Sequence, residues 1–198
     1  VGDSVLKMFA QDIFVQEYFR AGCRLYSDFF LILIADESQE KMIDRLHNRN
    51  KRFSNMQNHC GEHIVSGIVH RIYGFNNVGF HMGSDVITVD FDGVLTEEQL
   101  YDVEQEANEA VLRNVPVTIS YPSKEELETM DYRSKKEIEG QVRIVTIEGC
   151  DSCACCGTHV AKTGEIRLIK ILSAQKYKGG VRVTMLSGEK AYADYCLK

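Results

Sequence analysis

His59 and His63 stand four residues apart in Asn58-His59-Cys60-Gly61-Glu62-His63. On a helix, positions i and i+4 lie one above the other on one face, so both imidazoles can reach one ion. Nearly a hundred residues later, Cys155-Cys156-Gly157-Thr158-His159 repeats that spacing with a thiol and an imidazole. Two nitrogens from the first motif and a sulfur and a nitrogen from the second form a mixed donor set of the kind zinc favours. A closed set of four would hold a structural ion, whereas a loose fourth ligand would leave a position for water. Glu62 between the histidines also spells His-x-x-Glu-His, the inverted zinc-protease pattern. In that reading Glu62 is the general base and Glu137 or Glu139 a third ligand.

The loop offers rival donors. Cys150-x2-Cys153 and Cys153-x2-Cys156 both have zinc-ribbon spacing. A cysteine-only site would need a further thiol from Cys23, Cys60 or Cys196. The plain alternative is a set of reduced loop thiols with no metal. Lys162, Arg167, Lys170, Lys176, Lys178 and Arg182 make the last quarter the most basic stretch. They suit phosphate groups, or equally the solvated edge of a sheet.

The elements that must position these residues belong to an ordinary globular chain. It has 198 residues, 44% hydrophobic and 26% charged, with only 2 prolines, which argues against long disordered tracts. The formal net charge of −6 argues against broad affinity for DNA or other nucleic acid. The longest apolar run, Phe29–Ala35, is too short to span a bilayer, and no signal-peptide pattern opens the sequence, so no membrane partner is expected. Seven cysteines, an odd number with four of them within Cys150–Cys156, indicate a reducing compartment and hence a cytoplasmic location.

Residues 1–22 have helical spacing, Arg24–Ala35 reads as a buried strand, and Asp36–Asn50 is charged and helix-compatible. Phe53–Tyr73 is the expected central helix, with Ile64, Val65, Ile68, Val69 and Ile72 as its core stripe and His59, His63, Ser66 and His70 as a polar one. Gly74–Gly83 reads as a loop, and Asp85–Phe91 alternates like a half-buried strand. Thr96 with Gln99 and Ser123 with Glu126 are capping boxes that open helices, the first burying Leu100, Val103, Ala107, Ala110 and Val111. Val115–Tyr121, Gln141–Ile147, Glu165–Leu172 and Val181–Leu186 read as strands, and Gly149–His159 as the cysteine loop. The expected class is α+β: a largely antiparallel sheet packed with helices, and a metal cleft between the His-bearing helix and the Cys/His loop. The expected division is an accessory region over 1–50 and a site-bearing domain over 51–198.

The paired motifs resemble the H-x3-H and C-x-G-T-H motifs of the alanyl-tRNA synthetase editing domain and its free-standing AlaX-type relatives, the threonyl/alanyl-tRNA synthetase second additional domain. Gly79-Phe80-His81-Met82-Gly83 with Val89-Asp90-Phe91, Gly164-Glu165-Ile166 through Lys170-Ile171, and Gly180-Val181-Arg182 are similar too, so that the likeness covers about residues 52–192. Cys156 stands where the family often has glycine, and residues 1–50 contain no Gly-Gly-Gly motif. The resemblance implies a zinc-dependent hydrolase that deacylates serine or glycine from tRNA(Ala), whose 3′ adenosine would enter the cleft. His59, His63, Cys155 and His159 carry over as zinc ligands, Gly157 and Thr158 as the loop that shapes the substrate site, and Arg182 as a contact to the acceptor end. These 198 residues contain no synthetase core or ATP-binding motif, so the expected action is in trans. Two rival readings are a zinc-containing tRNA- or ribosome-associated module without activity and a metallopeptidase built on Glu62.

Overall fold

The structure is a computed structural model that describes residues 39–134 and 140–197. The chain divides into two compact units, Val1–Asn48 and Arg49–Lys198. The helix and strand expected over 1–22 and 24–35 lie outside the described residues. The elements in order are α1 (Gln39–Tyr73), β1 (Asn77–Met82), β2 (Ile87–Phe91), α2 (Glu97–Arg113), β3 (Val117–Ser120) and α3 (Lys124–Thr129). They continue with β4 (Ile144–Ile147), β5 (Asp151–Ala154), a 3-10 turn (Thr163–Ile166), β6 (Ile169–Tyr177), β7 (Gly180–Ser187) and α4 (Glu189–Cys196). One antiparallel sheet has the order β1-β2-β7-β6 and another the order β3-β4-β5. The α+β class with antiparallel sheets is thus as expected.

Helix α1 carries the core stripe. Ile64, Val65, Ile68 and Val69 are at most 1% exposed, and each contributes roughly 1.5–3 kcal/mol by leaving water. Ile72 departs from expectation at 45% exposure. Gly74 ends the helix at φ +70°, a left-handed conformation suited to glycine, and its N–H donates to His70 O at 2.9 Å. On the core face of the sheet, β2 and β7 pair Ile87 with Met185, Val89 with Val183 and Phe91 with Val181. Both capping boxes form, Thr96 with Gln99 on α2 and Ser123 with Glu126 on α3. The stripe expected on α2 is buried in full.

Several stretches differ from the sequence expectation. Gly74–Gly83 contains strand β1, an edge strand whose register slips between Asn77 and Gly79. Its glycines and asparagine hide the strand signal, and a side chain at Gly79 would press on the Asp90 carboxylate. The cysteine loop contains strand β5, too short and polar to show an apolar pattern. Strand β6 runs on to Tyr177, with Leu172 through Lys176 exposed along its outer half. It reaches β7 through a tight turn at Lys178 and Gly179, both at positive φ.

Candidate metal centre

The site is built where α1 meets the segment after β5. Cys60, His63 and the apolar stripe sit on the buried side of α1, while His59 is half-buried at its rim. The facing segment leaves β5 and is held at both ends. Ala154 N donates to Arg133 O at 2.8 Å and Cys155 N to Arg143 O at 3.1 Å. Beyond His159, Val160 N donates to Cys60 Sγ at 3.3 Å and Val117 N to Ala161 O at 2.9 Å. Gly157 lets the two walls close. A Cβ there would lie 2.6 Å from His59 Nδ1, so any other residue would push the ring away.

One donor atom from each of His59, His63, Cys155 and His159 lies within 4.8 Å of the others. Ligands of a tetrahedral zinc ion stand about 3.3–3.8 Å apart given its usual bond lengths, so small side-chain movements suffice. Each imidazole spends Nδ1 on an outer partner, which leaves Nε2 for the centre. His63 Nδ1 meets Asp151 Oδ2 at 2.8 Å, and Arg133 donates to the same carboxylate through Nε at 2.7 Å and Nη2 at 2.8 Å. His59 Nδ1 meets the Thr158 carbonyl at 3.2 Å. His159 Nδ1 meets Cys60 Sγ at 3.2 Å. His59 Nε2 lies 3.5 Å from Cys155 Sγ, and Gly157 N donates to that sulfur at 3.3 Å. The rings pack as a cluster: His59 stacks on His159 at 4.4 Å and on Phe80 at 5.8 Å, and His63 stands edge-on to both histidines.

The electrostatics fit a cation. Burial on its own would push the Cys155 thiol up, yet His159, His59 and His63 around it outweigh burial and bring it down toward thiolate. Burial likewise favours neutral His63, but Asp151 and Cys155 outweigh it and raise that imidazole. Burial lowers His159. His159 Nε2 is buried and has no hydrogen-bond partner among the described residues, a costly state that a metal bond would relieve. A thiolate and three imidazole nitrogens, one of them the orphaned His159 Nε2, match the softness and number that zinc requires.

A second group, His63, Asp151 and Cys153, is fully buried. There the Arg133 guanidinium already supplies the positive charge. Burial pushes Cys153 up to about 12, away from the thiolate that a metal needs. Cys150 meets Arg113 at 3.5 Å, and Cys156 is exposed. The zinc-ribbon thiols Cys150, Cys153 and Cys156 therefore form no common ligand group among the described residues.

The remaining predicted residues are not among the four donors. Glu62 is 2% exposed and accepts from Ser66 Oγ at 2.8 Å and from Asn77 Nδ2. Thr158 presents its backbone carbonyl to His59 and leaves its side chain exposed. Arg182 lies on β7, where Asp90 binds it at 2.6 and 2.8 Å and it covers the Tyr177 ring at 3.7 Å. Sequence reasoning missed Asn77, Arg133 and Asp151, and weighed Cys60 only as a further thiol of a cysteine-only site. No spacing rule ties Arg133 to Asp151. The only signal was Asp151 at i−2 from Cys153, which on a strand puts both on one face.

Residues 142–184 match the family described as the threonyl and alanyl tRNA synthetase second additional domain. That stretch holds Cys155 to His159 and the strands around them. The chain is 36% identical over 146 residues to alanyl-tRNA editing protein Aarsd1-A of Xenopus laevis, covering 71% of this chain and 35% of that protein. It is 30% identical over 143 residues to alanyl-tRNA editing protein AlaX-L of Pyrococcus horikoshii, with the same two shares. The chain is a relative of the alanyl-tRNA editing proteins. It is also 33% identical over 141 residues to the alanine–tRNA ligase of Petrotoga mobilis, covering 68% of this chain and 16% of that enzyme. The chain spans about a third of the length of the editing proteins it matches. No helix of the described residues is long and apolar enough to cross a membrane.

Proposed function

We propose that the chain is a zinc-dependent trans-editing hydrolase that deacylates seryl- or glycyl-tRNA(Ala), with residues 51–198 as its editing domain and residues 1–50 as an accessory region. The observation that carries this reading is the convergence of three imidazole nitrogens and one sulfur from two distant motifs. The names of the relatives support the substrate class. His59, His63, Cys155 and His159 would hold the ion. Bound there, zinc would supply Lewis acidity toward an ester carbonyl and lower the pKa of water.

The chain's own residues do the rest. Asp151 and Arg133 fix the His63 ring, so that its free nitrogen faces the centre. Gly157 N–H bonds the Cys155 sulfur and steadies its negative charge. Gly157 and Thr158 shape the wall that the aminoacyl end of the tRNA would meet. Arg182 is the proposed contact to the acceptor end. Glu62 is the proposed general base, and Glu62→Gln tests it apart from the ligands. Six described cysteines are free thiols, which fits a cytoplasmic setting.

A second reading, a zinc-bearing tRNA-binding module without turnover, is favoured by the fact that four protein donors face one another. Zinc content and deacylation of seryl-tRNA(Ala), compared between wild type and His63→Ala, separate the two. The proposal expects about one zinc per chain by the tetrahedral rule, and loss of metal and activity together in the variant. Zinc retained by wild type with no deacylation at high protein concentration would move the assignment to the binding module. Absence of zinc even after supplementation would refute both.

A further inference from the structure

The three histidines differ in what holds them from behind. His63 has a buried carboxylate that is itself clamped by two guanidinium bonds. His59 has a backbone carbonyl. His159 has a single sulfur, Cys60 Sγ at 3.2 Å, and no other partner for Nδ1 among the described residues. Cys60 is one residue past His59 and therefore lies on a different face of α1, 0% exposed, pointing beneath the loop. The sulfur also receives the Val160 N–H at 3.3 Å. Two nitrogens from successive loop residues thus aim at one atom. For His159 Nε2 to face the metal position without a proton, Nδ1 must carry the proton and donate it. Cys60 Sγ is the acceptor in place.

We propose that Cys60 is a positioning residue: its sulfur accepts the Nδ1–H of His159, fixes the tautomer with a bare Nε2, and pins the loop at Val160. This rests on the metal reading above and adds to it a residue that neither ligates nor touches substrate. Outer partners of ligating histidines are ordinarily oxygen acceptors, and sulfur is a weaker one. His159 is therefore the least firmly oriented of the three imidazoles. It is the ligand whose binding Cys60 controls.

The test uses the zinc-loaded chain with Cys60→Ala, Cys60→Ser and Asp151→Asn, and reads zinc affinity by chelator competition. It also reads the side-chain 15N shifts of His159 and circular dichroism to check the fold. Cys60→Ala is expected to weaken zinc about tenfold, the lower end for lost outer partners, and Asp151→Asn about a hundredfold, the upper end. Cys60→Ser, which keeps an acceptor, should restore the affinity lost in Cys60→Ala and the Nδ1-protonated signature of His159. Cys60→Ala that binds zinc as tightly as wild type, with that signature unchanged, overturns the proposal and leaves the metal reading standing. Cys60→Ser as weak as Cys60→Ala, with the fold intact, also overturns it. Wild-type protein that takes up no zinc overturns the metal reading itself.

Discussion

The four-stranded sheet and the three-stranded sheet are both antiparallel, yet they contribute different things. In the first, β2 and β7 place Val89 and Val183 at 0% exposure against α1 and α2, and their pattern is the plain alternation of a half-buried sheet. In the second, β5 places Asp151 and Cys153 inward and then hands the chain to Cys155 and His159. One sheet stabilises by apolar area. The other adds to the buried apolar residues of β4 a buried charge, which costs stability unless every partner is in place. The scaffold should therefore fail by losing its core, and the site by losing one partner of a network.

The largest effect should come from Val183→Asp, which buries an unpaired charge at the centre of the four-stranded sheet. It is expected to remove at least about 4 kcal/mol and leave the chain unfolded, as read by circular dichroism and urea titration. A folded variant would mean that β7 is less embedded than its burial indicates. Next comes Asp151→Asn on the other sheet. Arg133 would lose the negative charge that holds it above its ordinary range against the effect of burial. The expected loss is about 3 kcal/mol in urea unfolding of the metal-free protein, smaller than for Val183→Asp because the backbone and apolar contacts survive. A loss under about 1 kcal/mol would place Arg133–Asp151 among ordinary surface pairs.

The same contrast explains what the sequence shows. Alternation at 87, 89 and 91 marks β2 because one face is apolar and the other is not. The boxes at Thr96 and Ser123 are legible because capping is local, settled within four residues. The four donors are legible because metal chemistry imposes residue type and spacing. Strand β5 is not, since its inward residues are an aspartate and a cysteine, which read as loop. Helix α4 was missed as well: it buries only Ala191 and has no side-chain cap at Gly188. Arg133, Asp151 and Cys60 act by where the fold brings them, and distance in sequence hides that.

Acid exposes a smaller difference. Arg182 holds the Asp90 carboxyl below the usual range. Asp90 thus binds its proton more weakly when folded than when unfolded, so its contribution is full above the ordinary carboxylate pKa and is lost as pH falls through the folded value. The expected outcome is a fall in stability below about pH 4 that Asp90→Asn flattens, measured by urea midpoints from pH 5 downward. An unchanged acid limb in Asp90→Asn would show that this pair on the four-stranded sheet contributes nothing beyond its apolar neighbours.

The smallest effects separate the two capping boxes. Thr96 accepts from Gln99 N at 3.2 Å and Ser123 from Glu126 N at 3.3 Å, so the local bonds are alike. Their settings are not. Helix α2 buries Leu100, Val103, Ala107, Ala110 and Val111, whereas the six residues of α3 bury none. Fraying at Thr96 loosens the first of those core residues, and fraying at Ser123 releases no buried side chain. Thr96→Ala should therefore cost about 1 kcal/mol and Ser123→Ala only a few tenths, by urea midpoint. Equal losses would mean that α3 is tied to the fold as firmly as α2, and that the segment leading to Arg133 is held by this helix rather than by its bonds to β5.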